Sequence, residues 1–216
     1  MSLEDSIKKF KKQFLSQVPD DIQEFMQAEI DELKQSGLED QCCKTGDKAP
    51  DFSLPNIKGD MLTLTGLLNR GPIVLSFYRG AWCPYCNLEL RALQESLPGI
   101  EAAGGQMVAI SPQLPDNSLS TAEDRELSYE VLSDVGNHTA RKYGLVFTLK
   151  KELRPIYKEW GADIISVNGD DSFELPVPAT FVINNNGIIT YSFVDTDYTN
   201  RLQPEKIIEH LDKSKA

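Results

Sequence analysis

The chain has 216 residues, 40% of them hydrophobic and 25% charged, and a formal net charge of −11. That is enough for one well-cored globular domain with an addition, and the acidic balance excludes a nucleic-acid groove or an anionic membrane surface as partner of the bulk of the protein. No apolar run reaches the ~18 residues needed to span a membrane. The charged start Met1-Ser2-Leu3-Glu4-Asp5 lacks an apolar signal core, so a reducing cytoplasm is the expected compartment, where neighbouring thiols cycle rather than stay oxidised.

Residues 1–41 read as helix. Leu3, Ile7, Phe10, Phe14 and Val18 form one apolar stripe, and Ile22, Phe25, Met26, Ile30 and Leu33 a second. Val18-Pro19 separates them, with Asp20 or Asp21 as the cap of the second helix and Gly37 as its end. We therefore expect an N-terminal helical arm over 1–45 and a main domain over 46–216. The stripes must be buried either against that domain or in a homodimer contact.

The domain opens with loop and short strand over 45–56 and a turn of helix over 63–68. The run Ile73-Val74-Leu75-Ser76-Phe77-Tyr78 has the composition of a buried strand. A helix over 86–103 follows, with Leu88, Leu90, Leu93 and Leu97 at helical spacing, and then a second buried strand over 107–111. This is a βαβ unit with parallel strands. Helices over 120–127 and 137–143 flank a strand over 129–132. The stretch 147–177 is less regular, with a helix over 150–160 interrupted early by Pro155. Strands over 179–183 and 188–193 make a hairpin through Asn184-Asn185-Asn186-Gly187, and a helix over 203–211 ends the pattern.

Chemistry concentrates in Trp82-Cys83-Pro84-Tyr85-Cys86, after the Arg79-Gly80-Ala81 turn. The spacing puts both thiols in the first turn of a helix, where unpaired N–H groups and the helix dipole favour a thiolate. Pro84 is tolerated there because that turn needs no N–H from it. A zinc site would need more ligands than the adjacent pair Cys42-Cys43 and the distant His138 and His210 offer, so no metal is expected. Cys42-Cys43 reads as two incidental thiols, as a resolving pair or as the site of an intersubunit bond. His138 reads as a surface residue at a helix start, and His210 as a weak candidate in the last helix. Trp82 and Tyr85 flank the thiols, forming an apolar lip or packing near Trp160. Arg79 is either a solvated turn residue or a cation serving the thiols.

The order of elements, with Val177-Pro178-Ala179-Thr180-Phe181 before the hairpin, resembles the thioredoxin fold: an α/β fold with a central mixed sheet flanked by helices. Cys-Pro-Tyr-Cys is similar to the glutaredoxin active site. Gly46-Asp47-Lys48-Ala49-Pro50-Asp51-Phe52 and the Phe77-Tyr78 strand end resemble peroxiredoxins of the alkyl hydroperoxide reductase and thiol-specific antioxidant group. The resemblance covers roughly 46–212. It places the peroxidatic position on Cys86 but puts Cys83 where the family has threonine and Pro178 where it has an arginine, both departures toward thioredoxin. It implies a thiol-dependent oxidoreductase without cofactor that acts on a peroxide or a disulfide. A thioredoxin-like or glutaredoxin-like reductant would recycle it. A redox-sensing protein without turnover is the alternative. On thioredoxin logic Cys83, exposed at the helix tip, attacks and Cys86 resolves; on peroxiredoxin logic the roles reverse. A cis bond before Pro178 is expected, leaving the backbone of the preceding residue free for a substrate chain.

Overall fold

The computed structural model describes residues 1–213. Helices α1 (Leu3–Leu15), α2 (Asp20–Gln35) and the short α3 (Leu38–Gln41) form the arm. Ser2 caps α1, its Oγ accepting the Asp5 N–H at 3.1 Å. The cap of α2 is Pro19, with Asp20 and Asp21 inside its first turn, where they favour the helix dipole rather than cap it. Gly37, at φ 72°, turns the chain from α2 into α3.

The rest of the chain runs β1 (Ser53–Pro55), β2 (Met61–Thr63), α4 (Leu64–Leu68), β3 (Ile73–Phe77), α5 (Pro84–Ala102), β4 (Gln106–Ser111), α6 (Pro115–Asp124), β5 (Glu130–Ser133) and α7 (His138–Lys142). It continues through β6 (Val146–Thr148), α8 (Leu153–Glu159), α9 (Ile164–Asn168), β7 (Glu174–Pro176), β8 (Ala179–Ile183), β9 (Ile189–Val194) and α10 (Pro204–Lys213). The main sheet has the order β5-β4-β3-β8-β9. Its central strand β3 is parallel to β4 and antiparallel to β8, with Val74 opposite both Met107 and Val182. This is the mixed sheet of the thioredoxin-like fold, and β3-α5-β4 is its βαβ unit. The short pair β6–β7 and helix α9 occupy the stretch whose sequence reads as irregular.

Alternation along β3 divides the interior. Val74 and Tyr78 join a core with Leu90, Leu93 and Leu97 of α5, whereas Ile73, Leu75 and Phe77 join a second core with Tyr143 and Phe181. The arm packs on the first core of its own chain: Leu3, Ile7, Met26 and Ile30 are buried there, with Phe10 and Phe14 against it.

One expectation is overturned. No peptide bond is cis among the described residues, so Val177–Pro178 is trans. The chain passes extended from β7 directly into β8, and the Val177 N–H is already spent on the Leu145 carbonyl at 2.8 Å. A trans prolyl bond suits that extended passage, and the N–H before the proline is not free for a substrate chain.

The arm joins the domain at Gly144. The Cys43 N–H donates to the Tyr143 carbonyl at 3.1 Å. Gly144 has φ +77°, and a Cβ there would lie 2.6 Å from the Gln41 carbonyl oxygen and 2.9 Å from Cys42 Cα. Both the left-handed backbone and the backbone neighbours oppose a side chain. Gly144→Ala should therefore cost ~1–3 kcal/mol or more, read as a lower urea midpoint with an unchanged slope; an unshifted midpoint would refute the close joint.

Candidate active site

Strand β3 ends at Phe77, and the next six residues deliver both thiols to the head of α5. Cys83 is the N-cap residue and Pro84 opens the helix, which places Cys86 in the first turn. The turn is pinned from several sides. The Cys83 N–H donates to the Gly80 carbonyl at 3.1 Å. The Ala81 N–H donates to Gln113 Oε1, and Asn87 Nδ2 donates to the Ala81 carbonyl at 2.7 Å. Gln113 is buried and donates from Nε2 to Thr121 Oγ1 at 3.0 Å. Gly80 sits at φ +145°, and a Cβ would meet Trp82 Nε1 at 2.5 Å and Gln113 Oε1 at 2.8 Å, so only glycine fits.

Both cysteines are free thiols, and neither has any exposed surface. Cys83 is thus not exposed at the helix tip: residues from outside the β3–α5 unit cover it. Each sulfur has its own guanidinium. Arg79 Nη2 donates to Cys83 Sγ at 3.1 Å, and Arg201 Nη2 approaches Cys86 Sγ at 3.5 Å. Arg79 is only 2% exposed and is no solvated turn residue. Its Nη1 donates to Tyr157 Oη at 3.3 Å, and its guanidinium lies over the rings of Tyr198 at 3.9 Å and Trp82 at 5.1 Å. Arg201 is held by the buried Glu89 carboxylate, Nε to Oε2 at 2.6 Å, and by the carbonyls of Tyr198 and Asn200.

The two thiols titrate apart. Burial alone would push Cys83 up, but the hydrogen bond from Cys86 and the Arg79 and Arg201 charges outweigh it and hold Cys83 well below the ordinary thiol value. Burial, the hydrogen bond with Cys83 and the negative charge on Cys83 push Cys86 well above it. The directions of the two shifts favour the negative charge of the pair on Cys83 rather than on Cys86. Such a thiolate is a nucleophile ready for an electrophilic oxygen or sulfur.

A cavity of about 320 Å³ opens beside this centre, with Arg79, Trp82 and Tyr85 on the domain side and Phe10 and Phe14 on the arm side. Trp82 meets Tyr157 edge-on at 5.6 Å, and Tyr85 meets Phe10 at 5.1 Å and Tyr198 at 5.8 Å. Trp82 and Tyr85 line the apolar wall of the cavity, on which Trp160 also borders. Pro178 is buried but does not line this cavity.

Other candidates lie apart. Cys42 belongs to the second core, across the sheet from the dithiol; its thiol donates to the Leu38 and Gly144 carbonyls and is pushed up to about 12 by burial. Burial also raises the Cys43 thiol. Neither has the features of a reactive partner for Cys83. His138 is exposed, and His210 stacks on Tyr191 at 3.7 Å.

Sequence reasoning passed over Glu89, Arg201, Tyr157, Tyr198, Gln113 and Asn87. Only Glu89 carried a signal. It lies three residues after Cys86, a carboxylate on the face of α5 that otherwise buries Leu90, Leu93 and Leu97.

Comparison with known proteins identifies the family of this chain. The AhpC/TSA family matches residues 45–192. The chloroplastic peroxiredoxin Q of Gentiana triflora is 29% identical over 169 residues, 78% of this chain, which spans 64% of that protein's length. A putative peroxiredoxin of Mycobacterium tuberculosis is 33% identical over 113 residues, 52% of this chain and 73% of that protein. The crystal structure of the peroxidoxin BcpB from Mycobacterium tuberculosis superposes with a TM-score of 0.62 at 25% identity, covering 79% of this chain and 97% of that one.

Arg79 favours the charged form of Cys83, so Arg79→Met should move the thiolate titration of Cys83 upward. Ultraviolet absorbance of the thiolate against pH, with Cys42→Ser and Cys43→Ser in the background, reads the shift. An unmoved midpoint would mean that the 3.1 Å contact has no electrostatic weight.

Proposed function

Because this chain belongs to the AhpC/TSA family, we propose that it is a thiol-dependent peroxidase that cycles Cys83 and Cys86 between dithiol and disulfide. The observation that carries this reading is the Arg79 guanidinium 3.1 Å from Cys83 Sγ, with both groups buried. A thiolate attacking a peroxide needs a cation to hold its own charge and to receive the charge that develops on the departing oxygen, and Arg79 is positioned for both.

In the proposed cycle the Cys83 thiolate attacks the terminal peroxide oxygen. An S–O bond forms, the O–O bond breaks, and the departing alkoxide or hydroxide takes a proton from water. Cys83 is then a sulfenic acid, oxidised by two electrons. The Cys86 sulfur attacks the Cys83 sulfur and gives up its proton, and the hydroxyl leaves as water with that proton. The resulting disulfide is reduced by a thioredoxin-like or glutaredoxin-like dithiol, whose thiolate attacks one sulfur while the other departs. Because both sulfurs are covered, a protein reductant reacts only when the surrounding aromatics move aside. A reducing compartment such as the cytoplasm suits this cycle. No helix among the described residues is long and apolar enough to cross a membrane.

Of the two orders of attack, the site favours Cys83 first, since it carries the charge and Cys86 the proton. The same burial favours a small oxidant over a protein disulfide as the everyday substrate. A stoichiometric pulse of hydrogen peroxide followed by mass spectrometry tests both points. The wild type should lose two hydrogens as an internal disulfide. Cys86→Ser should stop at a Cys83 sulfenic acid that a dimedone probe captures, and Cys83→Ser should remain unmodified at Cys86. A trapped sulfenic acid on Cys86 in Cys83→Ser, formed as fast as in the wild type, would reverse the assignment.

A further inference from the structure

The arm lies outside the family's matched span of residues 45–192, yet it builds one side of the cavity at the dithiol. Phe10, Phe14, Val18 and Met26 face Trp82, Tyr157 and other rings of the domain across about 320 Å³. Phe10 and Phe14 stack at 5.8 Å, and Phe14 closes edge-on against Trp160 at 5.4 Å, so the arm's wall is itself an ordered aromatic surface. One charged side chain reaches this chamber, Arg79, the residue bonded to Cys83. Arg79 is 98% buried by its 2% exposure, and its Nε has no hydrogen-bond partner, nor has Trp82 Nε1. The chamber thus combines an apolar body with the guanidinium that is bonded to the nucleophile.

We propose that Phe10, Phe14, Val18 and Met26 of the arm are specificity residues that bind the apolar substituent of an organic hydroperoxide while its peroxide group is held at Arg79. This rests on the peroxidase reading and adds to it the residues that choose among peroxides. An apolar pocket of this size bounded by a few polar donors is suited to a small molecule with one polar end. Hydrogen peroxide has no apolar part and gains nothing from the arm. A hydroperoxide carrying a phenyl or branched alkyl group covers the arm's rings while its oxygens lie near the Arg79 guanidinium. The arm therefore sets the ratio of the two rates. The chemistry belongs to Cys83 and Arg79.

The test uses the full-length dithiol protein and measures second-order rates of oxidation by cumene hydroperoxide and by hydrogen peroxide, followed by tryptophan fluorescence. The quantity read is the ratio of the two rates. Phe14→Ala and Phe10→Ala should each lower that ratio about tenfold, in the range of a lost apolar contact in substrate discrimination, and Phe14→Leu should restore most of it. Val18→Phe fills the chamber instead of opening it and should also lower the ratio, which keeps the test sound if an alanine variant folds poorly. A wild type that reacts with both oxidants at a ratio insensitive to all four changes would overturn this inference alone. A wild type whose dithiol reacts with neither would overturn the peroxidase reading and this inference with it.

Discussion

Two guanidinium groups buried against two sulfurs set the conditions that the rest of the molecule must meet. A buried charge is costly unless it is paired and hydrogen-bonded, and removing one partner of such a pair is worth several kcal/mol, about 3–5. Arg79 and Arg201 bring two positive charges into the core, and Glu89 and the Cys83 thiolate bring two negative ones. The buried Glu29 carboxylate also lies in the field of Arg79, so the two cations favour the charged form of Cys83 without having it as their sole counter-charge beside Glu89. The helix start adds a smaller contribution.

Meeting those conditions takes three distant parts of the chain. The β3–α5 turn supplies Arg79, both cysteines and Glu89, and its shape depends on Gly80 and on side-chain bonds from Gln113 and Asn87. Helix α8 brings Tyr157 to accept from Arg79. The segment after β9 brings Tyr198 beneath the Arg79 guanidinium and Arg201 to Cys86, and Arg201 is further anchored on the backbone carbonyls of its own segment. The sheet aligns these parts because β3 lies at its centre and β8–β9 flank it, so the loop after β9 returns toward the head of α5. The arm packs on the outside of this cluster and lines the cavity that borders Arg79.

What the sequence discloses and what it hides follow from the range of the interactions. The β3-α5-β4 unit, the β8–β9 hairpin and the helical arm are legible because apolar periodicity and turn residues act over a few neighbours. The Cys83/Cys86 pair is legible for the same reason. Arg201 is not, since 115 residues separate it from Cys86 and nothing around it is periodic. Nor is the burial of Cys83, because its partner Arg79 is enclosed by Tyr157 of α8 and by Tyr198, both distant in sequence. The strands β6 and β7, of three residues each, and α9, of five, are too short to generate a pattern. The Val177–Pro178 bond misleads for a related reason: proline permits a cis bond locally, but the pairing of Val177 with Leu145 decides the path of the chain.

The same charge balance bears on the oxidised state of the proposed cycle. Once Cys83 joins Cys86 in a disulfide, its negative charge is gone, while Arg79, Arg201 and Glu89 remain. Arg79 then loses its nearest counter-charge, since Glu89 stays paired with Arg201 at 2.6 Å, while the buried Glu29 carboxylate remains in its field. Its remaining partners, the Tyr157 hydroxyl and the Tyr198 and Trp82 rings, are weaker than a thiolate. The Arg79 guanidinium lies over the Tyr198 and Trp82 rings, so in the proposed cycle the loss of the thiolate weakens the hold on the side chain that these rings pack against.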